Sequence, residues 1–186
     1  MRNVIFAINT TLNGCCDHTQ FNPGEEELAY FTQLTGDADT FVYGRKTYQL
    51  MVPYWPDIAK DHSGQTKAEI EFAKAFDAIS KIVVFSRSLA QAEGKNTSIV
   101  RGELQDEILK LKQEHGKNIL LGGTSIPSQL MELGLVDEYH FVVHPIVVGE
   151  GKRLLEGISL SERSPLKLVE SKIFKSGCVA LRYSKL

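Results

Sequence analysis

Two hydrophobic periods alternate along this chain. Short apolar runs suit strands at 3–9, 39–43, 81–85 and 118–122, with a shorter one near 97–100. Between them lie stretches with helical spacing, at 24–35, 44–52, near 66–77, 103–115 and 124–133. A long apolar run at 137–148 predicts one more strand. The chain then ends in a hairpin, with strands at 166–174 and 178–184 around a turn at Lys175-Ser176-Gly177. Two stretches read as loops: the polar segment 10–23, and the Pro-rich segment from Val52 to Gln65.

Strands separated by helices of this length argue for right-handed βαβ units and a parallel sheet. The terminal hairpin adds antiparallel strands at one edge. The expected fold is therefore a three-layer α/β domain: a mixed, mostly parallel sheet with helices on both faces, spanning residues 1–186. Sheets of this type bind ligands at the carboxyl ends of their strands. That rule directs attention to the residues that follow each apolar run.

After Phe41-Val42-Tyr43 come Gly44-Arg45-Lys46-Thr47, at the start of a helix. Cations there oppose the helix dipole, at about a few tenths of a kcal/mol each. A bound anion would reverse that sign, although side chains pointing into water also account for them. After the third run come Ser86-Arg87-Ser88, a second basic, hydroxyl-rich strand end that also reads as a solvated turn. After Asn118–Leu121 come Gly122-Gly123-Thr124-Ser125-Ile126. Paired glycines let backbone approach a ligand, and free N–H groups at a helix start can cradle phosphate. A plain turn with Thr124 or Ser125 as N-cap is the other reading. Together the three strand ends suit several phosphates. A pyrophosphate would lie along Thr47 and Gly123-Thr124. A separate phosphate would be forked by Arg45 and Arg87, since guanidinium binds phosphate bidentately. A dinucleotide with an extra 2′-phosphate, NADPH, has that layout.

Composition changes the picture mainly by exclusion. A 186-residue chain with 42% hydrophobic and 24% charged residues is long enough for one well-packed domain. The net charge of −2 and the lack of basic runs argue against nucleic acid as partner. No apolar run approaches ~20 residues, so no membrane span is expected. The N-terminus reads as a strand and not as a signal peptide, and a cytoplasmic protein is expected. Cys15, Cys16 and Cys178 are odd in number and lack zinc-type spacing, so reduced thiols and no metal are expected.

The blocks VYGRKTYQLM, IVVFSRSL and NILLGGTSIPSQLMELGLVDEYHFVVHPIVVGEGKRLLEG resemble the dihydrofolate reductase superfamily. The similarity is closer to its branch that contains the RibD C-terminal reductase domain of riboflavin biosynthesis. That resemblance covers nearly the whole chain and implies an eight-stranded mixed sheet, NADPH as hydride donor and a homodimer. It implies that Gly44, Arg45, Lys46 and Thr47 meet the cofactor phosphates. Ser86 and Arg87 would lie by the adenosine 2′-phosphate. Gly122, Gly123, Thr124, Ser125 and Ile126 would line the pyrophosphate and nicotinamide side.

On the substrate side the resemblance bears on Glu27 and Asn13, and the other candidates rest on their own chemistry. Glu27, in Glu27-Leu28-Ala29-Tyr30-Phe31, matches the acidic residue of dihydrofolate reductases, where it would hold a pterin-like ring or help deliver a proton. Its place in a Glu25-Glu26-Glu27 cluster also suits any helix N-terminus. Asn13 stands where the riboflavin branch usually has Asp. Asp17 and His18 follow in the same loop and are candidate proton donors. Tyr54 and Trp55 are candidate walls of the pocket. Lys152 and Arg153 are candidate partners for a substrate phosphate. His140 and His144 share one strand face and read as structural. The reading that results is an NADPH-dependent reductase of a small heterocycle, a pterin or a ribosylaminopyrimidine. The alternative is a non-catalytic nucleotide sensor on the same fold. No fused deaminase is expected, so deamination in a riboflavin pathway would need another chain.

Overall fold

The computed structural model describes residues 1–156 and 164–186. Gly157, the last residue of the block that begins at Asn118, lies outside the described residues. Eight strands form one sheet: β1 (Val4–Thr11), β2 (Ala38–Gly44), β3 (Lys81–Phe85), β4 (Thr97–Val100), β5 (Asn118–Leu121), β6 (Glu138–His144), β7 (Leu166–Ile173) and β8 (Val179–Lys185). Their order is β4-β3-β2-β5-β1-β6-β8-β7. The first six are mutually parallel, and the β7–β8 hairpin joins antiparallel on β6. The expected mixed sheet is therefore present.

Helices α1 (Glu25–Gly36), α2 (Arg45–Met51), α3 (Tyr54–Lys60), α4 (Lys67–Asp77), α5 (Leu104–Gln113) and α6 (Ser125–Glu132) complete the domain. The central strands are apolar on both sides, as buried parallel strands must be. Ile5, Phe41, Tyr43, Ile82, Val84 and Leu120 pack with Leu28 and Phe31 of α1 and with Phe72 and Phe76 of α4. The alternate residues Val4, Phe6, Ile8, Val42, Val83, Ile119 and Leu121 pack with α5 and α6 through Ile108, Leu111, Ile126 and Leu130. Period-two alternation thus fills two cores from one sheet.

Two elements differ from the sequence expectation. The predicted loop after Val52 contains α3. Its prolines, Pro53 and Pro56, sit before and within the first turn, where no intrahelical N–H bond is needed. Ile58 is buried and Trp55 packs edge-on against Phe72, with ring centroids 4.5 Å apart, so tertiary contact holds this short helix. The second difference is β6, which stops at His144 instead of running to 148. Pro145 has no N–H for the ladder. Beyond it the chain peels away to accept the Leu12 N–H on the Ile146 carbonyl at 2.9 Å.

Candidate functional site

The carboxyl ends of β3, β2, β5 and β1 lie side by side. The chain leaves β1 and β2 toward helices on the α1/α4 face, and leaves β5 toward α6 on the other. The end of β5 therefore sits at a topological switch point, where such sheets open a crevice. Gly122 and Gly123 occupy it.

Packing explains both glycines. A Cβ on Gly122 would run into the Tyr43 ring, and one on Gly123 would run into the Thr47 hydroxyl. Gly123 also has φ 78°, a conformation that L side chains rarely adopt. A Cβ on Gly44 would lie 3.4 Å from Ile126. The Gly44–Thr47 and Gly122–Ile126 segments are thus fitted to each other. Ile126 serves this fit as a buried core residue, 8% exposed. Thr124 is the N-cap of α6, yet its side chain makes no capping bond, so the first-turn N–H groups are not satisfied that way. Arg45 and Lys46 are exposed at the start of α2, and α2 is anchored by Tyr48, whose hydroxyl accepts the Glu93 N–H at 2.6 Å. Gly44 pairs with Phe85, which sets Arg45 next to Ser86 and Arg87. Arg87 is exposed. The Ser86 hydroxyl accepts the Leu89 N–H at 3.0 Å and shapes the turn. Among the described residues, Arg45, Lys46 and Arg87 make no ion pair.

A second opening lies beside these strand ends. Within the central strand β1 only Ala7 and Asn9 are not buried. Both are on the α1 face, and half-buried Leu28 and Phe31 of α1 stand over it. Phe6 pairs with Leu121, which carries the register on to Ala7 beside Gly122. A slot roofed by α1 and floored by Ala7 and Asn9 thus opens next to the Gly-Gly turn.

Residues 2–180 match the family described as the RibD C-terminal domain. The chain belongs to that family. It is 38% identical over 155 residues to the uncharacterized protein YyaP of Bacillus subtilis (strain 168), covering 82% of this chain and 77% of YyaP. Among solved structures, a Shewanella sp. PV-4 protein named for riboflavin biosynthesis superposes with TM-score 0.73 at 19% identity, covering 100% of this chain and 99% of that one. A pyrimidine reductase-like protein of Corynebacterium diphtheriae superposes with TM-score 0.68 at 16% identity, over 100% and 92% of the two chains. The deaminase/reductase of Thermotoga maritima gives TM-score 0.69 at 14% identity; all of this chain covers 57% of that longer protein. The fold is that of the RibD C-terminal reductases.

Within this family fold, several residues whose chemistry suggested a site have their polar groups already engaged. Asp17 caps the 3-10 turn His18–Gln20, accepting the Thr19 N–H at 3.0 Å and its hydroxyl at 2.8 Å. Those bonds hold its carboxyl below the usual range. His18 is 64% exposed on its side chain, 3.9 Å from Asp17. Asn13 is a staple: its oxygen accepts the Val148 N–H at 3.2 Å and the Thr11 hydroxyl at 2.8 Å, and its nitrogen donates to the Val148 carbonyl at 2.7 Å. Arg153 donates to the Asn13 carbonyl and forms a β-bridge with Cys15. Lys152 is exposed and contributes its carbonyl to the Cys16 N–H at 2.7 Å. These residues zip the loop after β1 to the loop after β6, and the Asn13 amide and the Arg153 guanidinium are engaged in those bonds. Tyr54 is 51% exposed on α3, whereas Trp55 is spent on Phe72.

Glu27 is 1% exposed. Its carboxylate accepts the Ser176 hydroxyl, while neighbouring Glu26 accepts the Lys175 N–H at 2.7 Å. Burial alone would push the Glu27 carboxyl up. Hydrogen bonds from Ser176, its own backbone N–H and Cys178, with the attraction of His144, leave it below the usual range. Glu27 therefore docks the β7–β8 turn onto α1.

The histidines on β6 are built in, as their shared face suggested. His140 lies 2.5 Å from the Tyr30 hydroxyl and 2.6 Å from Glu138. His144 lies 2.9 Å from Asn9 Oδ1 and 3.3 Å from Cys178 Sγ, and stacks on Phe21 with centroids 4.6 Å apart. Asn9 is a candidate that the sequence reading did not name; its signal was an amide directly after the apolar run Val4–Ile8. No three His, Cys, Asp or Glu side chains converge as a metal site among the described residues. Nor is any described helix long and apolar enough to cross a membrane.

Proposed function

We propose that this protein is an NADPH-dependent reductase of a small heterocyclic substrate. The observation that carries the reading is the fit of Gly123 against Thr47 at the β5 switch point, flanked by the uncommitted cations Arg45, Lys46 and Arg87. Glycine backbone at a strand end lets a pyrophosphate approach closely. The exposed guanidiniums on neighbouring strand ends suit a further terminal phosphate. RibD-like reductases generally use NADPH, and membership of that family supports the same cofactor here. These residues would hold the dinucleotide with its nicotinamide toward the Ala7–Asn9 slot. The cofactor supplies the hydride when bound. The chain's own part is to bind it, to orient the ring in the slot and to exclude water through α1.

The substrate is proposed to be a flat pyrimidine- or pterin-type ring, since Ala7, Leu28 and Phe31 offer it apolar contact and Asn9 a polar edge. Asp17 and Glu27 are committed to structural bonds, which leaves exposed His18 or a bound water to deliver the proton. A homodimer is proposed from the exposed edge strand β7, where Leu168, Val169 and Ile173 face solvent. Size-exclusion chromatography with light scattering checks it.

Titration of the full chain with NADPH and NADH, followed by cofactor fluorescence and thermal shift, tests the assignment. Tight NADPH and weak NADH binding is the expected result. Binding of neither overturns the reading.

A further inference from the structure

Six of the eight β1 residues are buried, and the two exceptions define one opening on one face. Ala7 leaves the space; Asn9 supplies its polar group. What the amide offers a ligand depends on which end His144 holds. His144 is 5% exposed and has no freedom to reach a ligand itself. Phe21 covers one ring face, at an interplanar angle of 12°. Its Nδ1 faces the Cys178 thiol and its Nε2 faces Asn9 Oδ1 at 2.9 Å. Glu27 is the charged group that acts on it.

An amide oxygen only accepts, so Nε2 carries the proton and donates to Asn9. Burial keeps the imidazole below its usual pKa, against the pull of Glu27. Protonation would add a hydrogen at Nδ1 and leave the Nε2–H donor in place. The amide is therefore held the same way in either charge state. Its Nδ2 amino group has no partner among the described residues.

We propose that Asn9 reads the substrate ring, with His144 as the positioning residue that fixes the Asn9 amide so that its amino group donates to a ring carbonyl. This rests on the reductase reading and on the Ala7–Asn9 slot as its substrate side. In a slot lined by Ala7, Leu28 and Phe31, an unpaired donor discriminates by rejecting a partner that also donates. A pyrimidinedione edge presents carbonyl acceptors. A diaminopyrimidine edge sets N–H against N–H.

The test uses the full chain saturated with NADP+, with uracil and 2,4-diaminopyrimidine as probes and ligand-observed NMR titration as readout. Wild type favours uracil by about fivefold to tenfold, the scale of one hydrogen bond. Asn9→Ala removes the preference, and Asn9→Asp, which only accepts, reverses it. His144→Phe keeps the ring stack on Phe21 but lets the amide turn, so the preference falls toward one. His144→Gln restores an N–H donor and part of the preference, which a merely structural role would not do. A preference unchanged in both Asn9 variants, or failure of both probes to bind the NADP-loaded protein, overturns the proposal. NADPH titration of each variant separates the two levels. Lost cofactor binding in wild type sinks the reductase reading, whereas retained cofactor binding without an Asn9-dependent preference sinks only this one.

Discussion

Gly123 meets Thr47 across two strand ends that are about 75 residues apart in sequence. The glycine has φ 78°, and its Cα lies where any Cβ would strike the threonine hydroxyl. Gly123→Ala is therefore expected to cost about 1–3 kcal/mol from backbone strain and the contact together. NADPH affinity falls at least roughly tenfold if the turn holds the pyrophosphate. Adding Thr47→Ala removes the struck hydroxyl and recovers part of the stability. A double-mutant cycle by thermal unfolding measures that coupling.

Arg45 and Arg87 are exposed and make no ion pair among the described residues, so removing them should barely affect folding. The Arg45→Ala/Arg87→Ala double variant is expected to keep its Tm within a few degrees. Its preference for NADPH over NADH should fall by roughly tenfold or more, since charge-assisted bonds to phosphate are lost. Parallel titrations with both cofactors check this. An unchanged preference refutes the assignment of these cations.

Glu138 sits between His140 at 2.6 Å and Arg182, which donates to both of its oxygens at 3.0 Å. The His140 bond foremost, then Arg182, holds its carboxyl down to about 2 against desolvation. A depressed acid contributes stability that is present above its ordinary value of 4.5 and is lost as pH falls toward 2. Acid unfolding below that value is expected to be shallower in Glu138→Gln, which at neutral pH is less stable by about 2 kcal/mol. The matching drop in Tm is about 4–8 °C. Tm measured from pH 7 to pH 2 in both proteins reads this out.

Glu27 separates a docking role from a chemical one. Glu27→Gln and Ser176→Ala are each expected to lower stability by about 1–2 kcal/mol, because the hairpin turn loses its charged partner on α1. Cofactor affinity should not change. Unfolding by urea, paired with NADPH titration, checks both halves.

The fold was legible because its signals are local and repeated. Both-sided apolar runs such as Ile82–Phe85 bury only between two helical layers, and the helices between them have the length a crossover needs. The strand-end rule found Gly44–Thr47 and Gly122–Ile126 for the same reason: each segment follows directly on an apolar run. Their mutual fit was not legible. That Gly122 is shaped by Tyr43, and Gly123 by Thr47, depends on β5 inserting between β2 and β1.

The loop candidates raise a different physical point. Asp17, Asn13 and Arg153 have the chemistry of a site, but a polar side chain in a loop is first claimed by the backbone groups around it. Only the folded chain shows that Val148, Thr19 and the Asn13 carbonyl made that claim. Glu27 was ambiguous for the same reason, since its partner Ser176 lies at the far end of the sequence.

The sequence by itself determined which strands are central, which strand ends carry glycine and cations, and that His140 and His144 share a face. Those are properties of neighbours along the chain, set by the two hydrophobic periods. The tertiary structure alone decided which polar groups remain for a ligand. It engaged Asp17, Asn13 and Glu27 in internal bonds and left the Asn9 amino group without a partner among the described residues. Hydrogen-bond partners are assigned by contacts between distant segments, and each bond made inside the fold removes a group from chemistry outside it.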